Sequence, residues 1–428
     1  MSFFRFFTDC HYVSGSMLGA IYDLSRNRVI SLSKTETNIV ELWLENQEVE
    51  MVEKNKGTMA KELLTKFIKE GFGQLFDTPV VVEPYYLKCK YELKGLLESP
   101  PNLSVAYIQL SDNCDGKCKI CKNSSYYYWQ GCNSCIRWPR GGQGNTLEGK
   151  DISVAYEHLI NLEVKTLTFS GGNPLINWPE LVEVSRRFRK VNSNLNVVVH
   201  TSGSLINDLI VKEAKELGIT FVFTLFGESA KTCKKVTGNQ TLFMSFNQAI
   251  NLCKQYGVTY KICLMITPEN RKEFNTILDY AEKLGAIHIF KTELTSHPEK
   301  GTPFVSAPRG QERIKQVGIL EYFYKRDFNT CLNRTIAISS SGAILPCPSW
   351  EEPLGNISDE NNIYNVFKTG LINEKWGYTK DKVPICKECE FRYSCSDCSV
   401  LEWALNKDTS VKDFYCKYKP HLGQWSNV

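Results

Sequence analysis

The sequence lacks the features that mark membrane, nucleic-acid-binding and secreted proteins. Its 428 residues contain no apolar run near the roughly 18 residues of a membrane-spanning helix. The formal net charge of +4 gives no strongly basic surface for nucleic acid or an acidic membrane. The opening stretch MSFFRFFTDC carries Arg5 and Asp9 within its apolar residues, so we expect no secretory signal. We therefore expect a cytoplasmic protein with no nucleic-acid partner and no membrane partner.

Cysteine, by contrast, is abundant, with 17 residues in the chain. In a large chain without an expected signal peptide, cysteines are better interpreted as reduced metal ligands than as disulfides. Their grouping supports this, since five fall between positions 114 and 135 and seven between 331 and 416. The scattered cysteines are expected to be ordinary buried thiols; they are Cys10, Cys89, Cys233, Cys253 and Cys263.

The first cysteine group stands in the stretch AYIQLSDNCDGKCKICKN. There Cys114, Cys118 and Cys121 follow an apolar run over 104–110 that predicts a strand. Three thiolates on one short loop can hold three corners of a cubic 4Fe-4S cluster and leave the fourth iron without a protein ligand. A structural zinc knuckle, which needs a fourth Cys or His at short spacing, and cysteines that bind nothing are the alternatives.

The second cysteine group lies near the C-terminus. Seven thiolates exceed one tetrahedral site and fall one short of two, which predicts two metal centres with one position filled by something else. A zinc ribbon built from two Cys-x-x-Cys pairs is the alternative. The seven residues are Cys331, Cys347, Cys386, Cys389, Cys395, Cys398 and Cys416.

These motifs together resemble the radical SAM enzymes that carry a SPASM domain. The resemblance rests on Cys-x3-Cys-x2-Cys after a strand, on GGNP about fifty residues later, and on the seven C-terminal cysteines. The phrase CEFRYSCSDC further resembles maturases of ribosomally made precursor peptides, including the grasp-with-SPASM type. The fold that this implies is α/β: a partial (β/α)6 TIM-type radical SAM barrel with an N-terminal winged-helix-like peptide-recognition domain and a C-terminal SPASM iron-sulfur domain.

The hydrophobic pattern fits such a division. Two β-rich segments within 20–33 precede helical patterns at 36–45 and 57–72, and six strand-like runs then alternate with helical patterns. We predict a leader-peptide recognition domain over 1–88, a linker over 89–103, the radical SAM partial barrel over 104–310 and the SPASM domain over 311–428. An extended leader would add a strand to a sheet edge of the first domain. A plain structural cap on the barrel is the alternative for that domain.

The expected S-adenosylmethionine site lies at the carboxyl ends of the strands, where ligands bind in parallel β/α folds. Two glycines after the second strand let the backbone approach a ligand closely. The resemblance implies that the GGNP stretch contacts the methionyl amino group, that the hydroxyls reach the ribose, and that Ile120 contacts adenine. The family more often has Glu where this chain has Asn173, and each hydroxyl has a structural role as its alternative. The predicted cofactor-binding residues are Ile120, Gly171, Gly172, Asn173, Pro174, Thr201, Ser202 and Thr224.

The resemblance assigns the C-terminal cysteines to two auxiliary clusters, so the expected cofactors are three 4Fe-4S clusters and S-adenosylmethionine. The inner cluster takes Cys331, Cys347 and Cys398, and the outer cluster takes Cys386, Cys389, Cys395 and Cys416. Two residues separate Cys395 from Cys398, where the family usually has three. The fourth position of the inner cluster is open, taken by another residue, or kept for a substrate thiol.

Cys132 and Cys135 are a further pair whose surroundings also resemble a radical SAM cluster loop. With Cys118 they would form an alternative triad, but the first triad is preferred because it directly follows the strand that begins the barrel. The pair otherwise closes a disulfide, binds a metal, supplies the missing auxiliary ligand or is simply buried.

The implied activity is generation of a 5′-deoxyadenosyl radical that abstracts hydrogen from a precursor peptide with a leader and so installs an oxidative cross-link. A thioether is favoured, because auxiliary clusters suit removal of a second electron. An electron donor such as flavodoxin or ferredoxin is the second expected partner. The alternatives are a carbon-carbon or ether cyclophane, formylglycine formation as in sulfatase maturases, and a zinc-stabilised peptide-binding scaffold. The sequence does not identify the catalytic side chain.

Overall fold

The structure is a computed structural model that divides into two compact units. The described residues are 1–84, 86, 103–122, 127–130, 138, 145–147, 150–296, 314, 316–360, 362–395 and 416–425. The first unit draws on Met1–Lys94, Ala307–Thr330 and Trp376–Val428, and the second on Gly95–Ser306 and Cys331–Lys375. Among the helices of the described ranges, none is long and apolar enough to cross a membrane.

The secondary structure of the described residues changes character along the chain, from strands and helices in blocks to strict alternation. The helices are α1 (Lys34–Leu44), α2 (Val49–Lys56), α3 (Thr58–Lys69), α4 (Lys119–Lys122), α5 (Lys150–Asn161), α6 (Trp178–Val191), α7 (Asp208–Glu216), α8 (Ala230–Thr237), α9 (Thr241–Tyr256), α10 (Phe274–Glu282), α11 (Ile319–Asp327), α12 (Asn362–Lys368) and α13 (Leu371–Trp376). The strands are β1 (Phe3–Phe6), β2 (Cys10–Ser14), β3 (Gly19–Asp23), β4 (Arg28–Ser31), β5 (Gly73–Phe76), β6 (Val105–Ile108), β7 (Tyr127–Gln130), β8 (Thr166–Phe169), β9 (Asn196–Thr201), β10 (Ile219–Leu225), β11 (Tyr260–Ile266), β12 (Ile289–Ser296), β13 (Thr335–Ile338), β14 (Ala343–Leu345), β15 (Gly355–Asn356), β16 (Tyr418–Lys419) and β17 (Gln424–Trp425).

In the first unit, an antiparallel sheet in the order β2-β3-β4 is covered on both faces. Successive side chains of a strand point to opposite faces. Accordingly Ile21 joins an apolar core with Trp43 and other residues of the N-terminal helices, while Tyr22 joins a second core with Tyr322 of α11 and other residues from the C-terminal part of the chain. The predicted strands of 20–33 and helices near 36–45 and 57–72 are confirmed as β3, β4, α1 and α3. Strands β1, β2 and β5 and helix α2 were not expected.

A buried carboxylate fixes the β3–β4 turn. Asp23 is fully buried and accepts hydrogen bonds from the side chains of Ser25, Arg26 and Arg28. Burial by itself raises the pKa of Asp23, but the hydrogen bonds from the two arginines and the Arg26 amide more than offset this, so its pKa is lowered. A carboxylate with a lowered folded pKa stabilises the fold above its ordinary pKa, and that stabilisation is lost as the pH falls through the lowered value.

The second unit is built on a mostly parallel sheet. Its described strands form a ten-stranded sheet in the order β15-β14-β13-β6-β8-β9-β10-β11-β12-β7. From β13 to β12 every pair in that order is parallel, and β14, β15 and β7 are added antiparallel. The six predicted barrel strands are therefore confirmed as β6 and β8–β12. Strand β13 beside β6 was not expected in the barrel sheet.

The sheet brings four loops to one edge. Because neighbouring parallel strands end at the same side, the segments that follow β6, β8, β9 and β10 lie together there. Strands β9 and β10 are almost wholly buried, as expected for parallel strands covered on both faces. The predicted cofactor-binding residues fall on or directly after these strands, except Ile120, which lies on α4.

Candidate active site

The cluster loop, residues 111–118, follows the first barrel strand and leads into α4. Cys114 is exposed, Cys118 is buried and Cys121 is half-buried on α4. A Cβ added to Gly116 would lie 3.5 Å from the sulfurs of both Cys114 and Cys118, so these two thiols flank the glycine. The Cys121 amide donates to the Cys118 carbonyl at 3.1 Å. The loop and α4 thus hold the three thiols in one small region.

The electrostatics of this region favour a positively charged centre. Although Cys114 is exposed as a residue, desolvation raises the pKa of its thiol to about 11, and the nearby Cys121 adds to the shift. Burial likewise raises the pKa of Cys118, with further contributions from Cys121 and Cys114. Three thiolates this close are unfavourable alone, whereas iron offsets their charge. The donor set fits a cluster in which each thiolate binds its own iron.

A single ion makes a different demand on its ligands. Within the ranges that the structure describes, no group of three His, Cys, Asp or Glu side chains is arranged to hold one metal ion. A cubic cluster does not need its ligands to converge on one point, because its irons occupy separate corners.

Asn173 ties the cluster loop to the ends of β8 and β9. Its side-chain amide donates to Asp115 Oδ1 at 2.7 Å and to Ser204 Oγ at 3.1 Å. Its side-chain oxygen accepts from the Thr201 hydroxyl at 3.0 Å and from the Leu175 amide at 3.3 Å. The side chain is 2% exposed, so its hydrogen-bonding capacity is used within the protein. What this stretch can offer a ligand is mainly its backbone.

The two residues before Asn173 must be glycines, because neighbouring groups leave no room for a side chain at either position. Both have positive φ angles, 85° at Gly171 and 58° at Gly172. A Cβ at Gly171 would lie 2.3 Å from Trp138 Cδ1, and one at Gly172 would lie 2.3 Å from the Asn113 carbonyl oxygen. Trp138 is buried and donates from its indole to Ser170 Oγ at 2.9 Å. The backbone of Gly171 and Gly172 is therefore in direct contact with Trp138 on one side and with the cluster loop on the other.

The predicted ribose-binding hydroxyls differ in their surroundings. The Thr201 hydroxyl accepts from the Gly203 amide at 3.1 Å besides donating to Asn173. The Ser202 and Ser204 hydroxyls lie 3.0 Å apart. The Thr224 hydroxyl is buried on β10 and has no hydrogen-bond partner among the described residues. Of these groups, the Thr224 hydroxyl has hydrogen-bonding capacity left over for a ligand.

The remaining predicted residues frame this region. Ile120 is buried in an apolar group with Cys118, Met265 and Leu294. Pro174 begins a short 3-10 helix over Pro174–Asn177, for which the Asn173 side chain is the N-terminal cap. Their proposed contacts with adenine and with the methionyl group stay predictions.

A second asparagine, which sequence reasoning missed, holds the other side of the cluster loop. Asn239, between α8 and α9, donates from its side chain to the Gly116 carbonyl at 3.3 Å. Its own carbonyl accepts from the Cys233 thiol at 3.5 Å, and its side-chain oxygen accepts from the Thr241 amide at 3.0 Å. The only hint in the sequence is a Gly-Asn pair ahead of a helical pattern, which marks a turn but no partner.

The C-terminal cysteines fall in both units. Cys331 and Cys347 belong to the second unit, and Cys386, Cys389, Cys395 and Cys416 to the first. Burial raises the pKa of Cys389, and the nearby Cys395 and Cys386 add to this. Cys416 packs on the same apolar core as Cys389. Cys132, Cys135 and Cys398 lie outside the described residues.

Comparison with known proteins identifies a superfamily for part of the chain. Residues 108–281 match the model of the Radical SAM superfamily. The AdoMet-dependent heme synthase of Oleidesulfovibrio alaskensis is 20% identical over 373 residues, which cover 76% of this chain and 90% of that protein.

Solved structures share the fold. The structure of anSMEcpe with bound AdoMet and Cp18Cys peptide matches with a TM-score of 0.55 and 17% identity, over 73% of this chain and 93% of that one. Streptococcus suis SuiB bound to S-adenosylmethionine matches with a TM-score of 0.52 and 14% identity, over 97% of this chain and 100% of that one. The predicted resemblance is confirmed, and the chain is an enzyme with a radical SAM domain in residues 108–281.

Proposed function

We propose that this enzyme installs an oxidative cross-link, by preference a thioether, in a ribosomally made precursor peptide. A radical SAM domain implies a 4Fe-4S cluster and S-adenosylmethionine. In our proposal Cys114, Cys118 and Cys121 hold three irons and leave the fourth for the cofactor. The observation that carries this is the packing of the cluster loop against the GGNP stretch, where Asn173 donates to Asp115 at 2.7 Å.

The residues around the loop take the roles that the fold suggests. The backbone of Gly171 to Pro174 meets the methionyl amino group, and Ile120 meets adenine. Thr201, Ser202 and Thr224 line the ribose side, with the unpartnered Thr224 hydroxyl as the group best able to accept or donate there. When bound, the reduced cluster supplies the electron that cleaves the cofactor's S–C bond and yields methionine and a 5′-deoxyadenosyl radical.

The electron balance of a thioether explains the further cysteines. One electron comes from a donor such as flavodoxin or ferredoxin, and the 5′-deoxyadenosyl radical then takes a hydrogen atom from a peptide carbon. Joining that carbon to a cysteine sulfur releases one proton and one electron. We propose that two auxiliary 4Fe-4S clusters accept and pass on this electron, the inner one on Cys331, Cys347 and Cys398. The outer one uses Cys386, Cys389, Cys395 and Cys416.

A peptide substrate is supported by the fold of the whole chain. The likeness to SuiB extends over 97% of this chain, so it includes most of the N-terminal segment. The structure of anSMEcpe that shares the fold was solved with a peptide bound. Within the described residues, β4 pairs only with β3, and its outer edge can take an extended leader as a further strand. We accordingly propose residues 1–88 as the leader-recognition domain and 311–428 as the SPASM domain.

The relatives named heme synthase and Fe-coproporphyrin III synthase make the modification of a porphyrin the competing function, for which we take iron coproporphyrin as the probe. The test is anaerobic incubation of the reconstituted enzyme with S-adenosylmethionine, a reductant and either a Cys-containing precursor encoded beside the gene or iron coproporphyrin. We expect 5′-deoxyadenosine together with a peptide that has lost two hydrogens and one free thiol. Loss of two hydrogens with the thiol intact would instead indicate a carbon-carbon or ether cyclophane. Turnover of the porphyrin with an unchanged peptide would contradict the proposal, and a protein that binds zinc with little iron would leave only the scaffold alternative.

A further inference from the structure

The β2–β3 hairpin of the N-terminal segment lies directly on the segment that carries three of the proposed outer-cluster cysteines. Three hydrogen bonds join the hairpin to residues 388–392. They run from the Ser16 amide to the Glu388 carbonyl (2.9 Å), from the Tyr22 hydroxyl to the Glu390 carbonyl (2.9 Å) and from the Arg392 guanidinium to the Ser14 carbonyl (2.9 Å). Two of these bonds are made by backbone groups of the hairpin, so they hold the hairpin backbone itself against residues 388–392.

The hairpin turn also fits this segment sterically. A Cβ added to Gly15 would lie 2.7 Å from Glu390 Oε2 and 3.0 Å from the Glu388 carbonyl oxygen. Real Cβ atoms essentially never come within 3.0 Å of such atoms, so the turn and the cysteine-bearing segment are in close contact. A side chain at Gly15 would have to displace the Glu390 carboxylate and the Leu18 carbonyl of the turn itself, which would lie 2.8 Å from the added Cβ.

The same contacts reach the cysteines. Arg392, which binds the hairpin, also donates to the Cys389 carbonyl at 2.9 Å. The Cys389 amide donates to the Cys386 carbonyl at 3.0 Å, and Cys389 and Cys416 pack on the apolar core that contains Tyr22. Tyr22 is fully buried there, 5.1 Å from the Tyr322 ring and 6.3 Å from the Tyr393 ring. The cysteine set fits a 4Fe-4S cluster because Cys386, Cys389 and Cys395 share one short hydrogen-bonded segment, and Cys416 packs on the same apolar core as Cys389.

We propose that the β2–β3 hairpin is a wall of the outer auxiliary cluster site, with Gly15 and Tyr22 as positioning residues for its cysteines. The inference rests on the proposed outer cluster and goes beyond it, because a leader-recognition domain needs no such contact. The N-terminal segment is then part of the iron-sulfur site as well as a peptide-binding module, and it is not a detachable cap.

The test compares hairpin variants of the full chain after anaerobic reconstitution. Tyr22→Ala and Gly15→Ala should each lose about four irons, the content of one cubic cluster. The outer cluster's electron paramagnetic resonance signal is identified as the one that Cys389→Ala loses, and both hairpin variants should lose the same signal. Tyr12→Ala is the matched control, because Tyr12 lies on the same hairpin but donates to Glu41 at 2.9 Å on the opposite face. Tyr12→Ala should keep the parent iron content and signal.

The outcomes separate this inference from the proposed function. Parent protein with only about four irons would refute the auxiliary clusters and the hairpin wall together. Parent protein with about twelve irons, and folded Tyr22→Ala and Gly15→Ala variants that keep them, would refute the wall alone. If both variants are insoluble, Tyr22→Phe removes only the bond to Glu390 and must shift the outer-cluster signal relative to Tyr12→Phe; identical spectra would overturn the inference.

Discussion

Replacing Asn173 by aspartate should loosen the cluster loop although it changes only one side-chain atom. In the parent, the Asn173 amide donates to the Asp115 carboxylate at 2.7 Å. Asn173→Asp removes this donor and sets two carboxylates against each other. An amide at position 173 therefore suits the Asp115 carboxylate better than a second carboxylate would.

The size of the free-energy loss follows from the lost hydrogen bond and from the new repulsion between the two carboxylates. A hydrogen bond to a charged group contributes about 1.5–3 kcal/mol. Two like charges ~4 Å apart repel by ~1 kcal/mol in water and by ~4 kcal/mol at an effective dielectric constant of ~20. Because Asp115 is exposed, solvent screens the repulsion toward the lower value. The substitution should therefore destabilise the loop conformation that binds the cluster by about 2–4 kcal/mol. This corresponds to a roughly 30- to 1,000-fold shift of the equilibrium away from that conformation.

The assay is iron release to a chelator under anaerobic conditions, followed by the rate of 5′-deoxyadenosine formation. Asn173→Asp should release iron faster and cleave S-adenosylmethionine more slowly than the parent. The exchange Asn173→Asp with Asp115→Asn restores one donor and one carboxylate, so it should recover most of the loss. Asn207→Asp is the control, because Asn207 caps α7 only as an acceptor from the Ile210 amide at 3.0 Å. Equal iron release from Asn173→Asp and from the exchanged pair would refute this reasoning.

Three further predictions follow from single contacts. Gly172→Ala should abolish loading of the radical cluster, since its Cβ would meet the Asn113 carbonyl at 2.3 Å; Gly57→Ala, with a similar positive φ but nothing within 4 Å, should keep the parent iron content. Asp23→Asn should lower the free energy of unfolding at pH 7 by about 3 kcal/mol, measured by urea titration. The difference between this variant and the parent should shrink as the pH falls below 3.8, because protonation of Asp23 in the parent removes the charge that the substitution also removes. Thr224→Val should not lower the unfolding midpoint, because the hydroxyl has no partner among the described residues. It should raise the KM for S-adenosylmethionine about tenfold if that hydroxyl binds the ribose; an unchanged KM would assign the hydroxyl no role in binding.

The barrel strands were predictable because parallel strands buried on both faces are continuous apolar runs. Strand β10, with the sequence ITFVFTL, is an example. Placing the GGNP stretch after a predicted strand also located its position at the sheet edge. Strand β13 was not recognised as a neighbour of β6, because its four residues lie more than 200 positions away and nothing local in the sequence encodes that pairing.

The hydrogen-bond partners of the site residues could not be predicted from the sequence either, because they also lie far apart along the chain. Asn173 and Asp115 stand 58 positions apart and meet only through the fold. Asn239 and Gly116 stand 123 apart, and Tyr22 and Glu390 stand 368 apart. Motif spacing identifies groups that act on a common ligand, whereas the contacts that hold those groups in place join residues of ordinary type.

The most direct test of the central claim is replacement of Cys114, Cys118 and Cys121 together by alanine. Anaerobic reconstitution should give about four irons fewer than in the parent. Reductive cleavage of S-adenosylmethionine should be lost, because these thiols hold the proposed radical cluster. Cys253→Ala, which replaces a buried cysteine of α9, should match the parent in both respects. A triple variant that still forms 5′-deoxyadenosine at the parent rate would contradict the account and would assign the radical cluster to other cysteines, with Cys132 and Cys135 the first to examine.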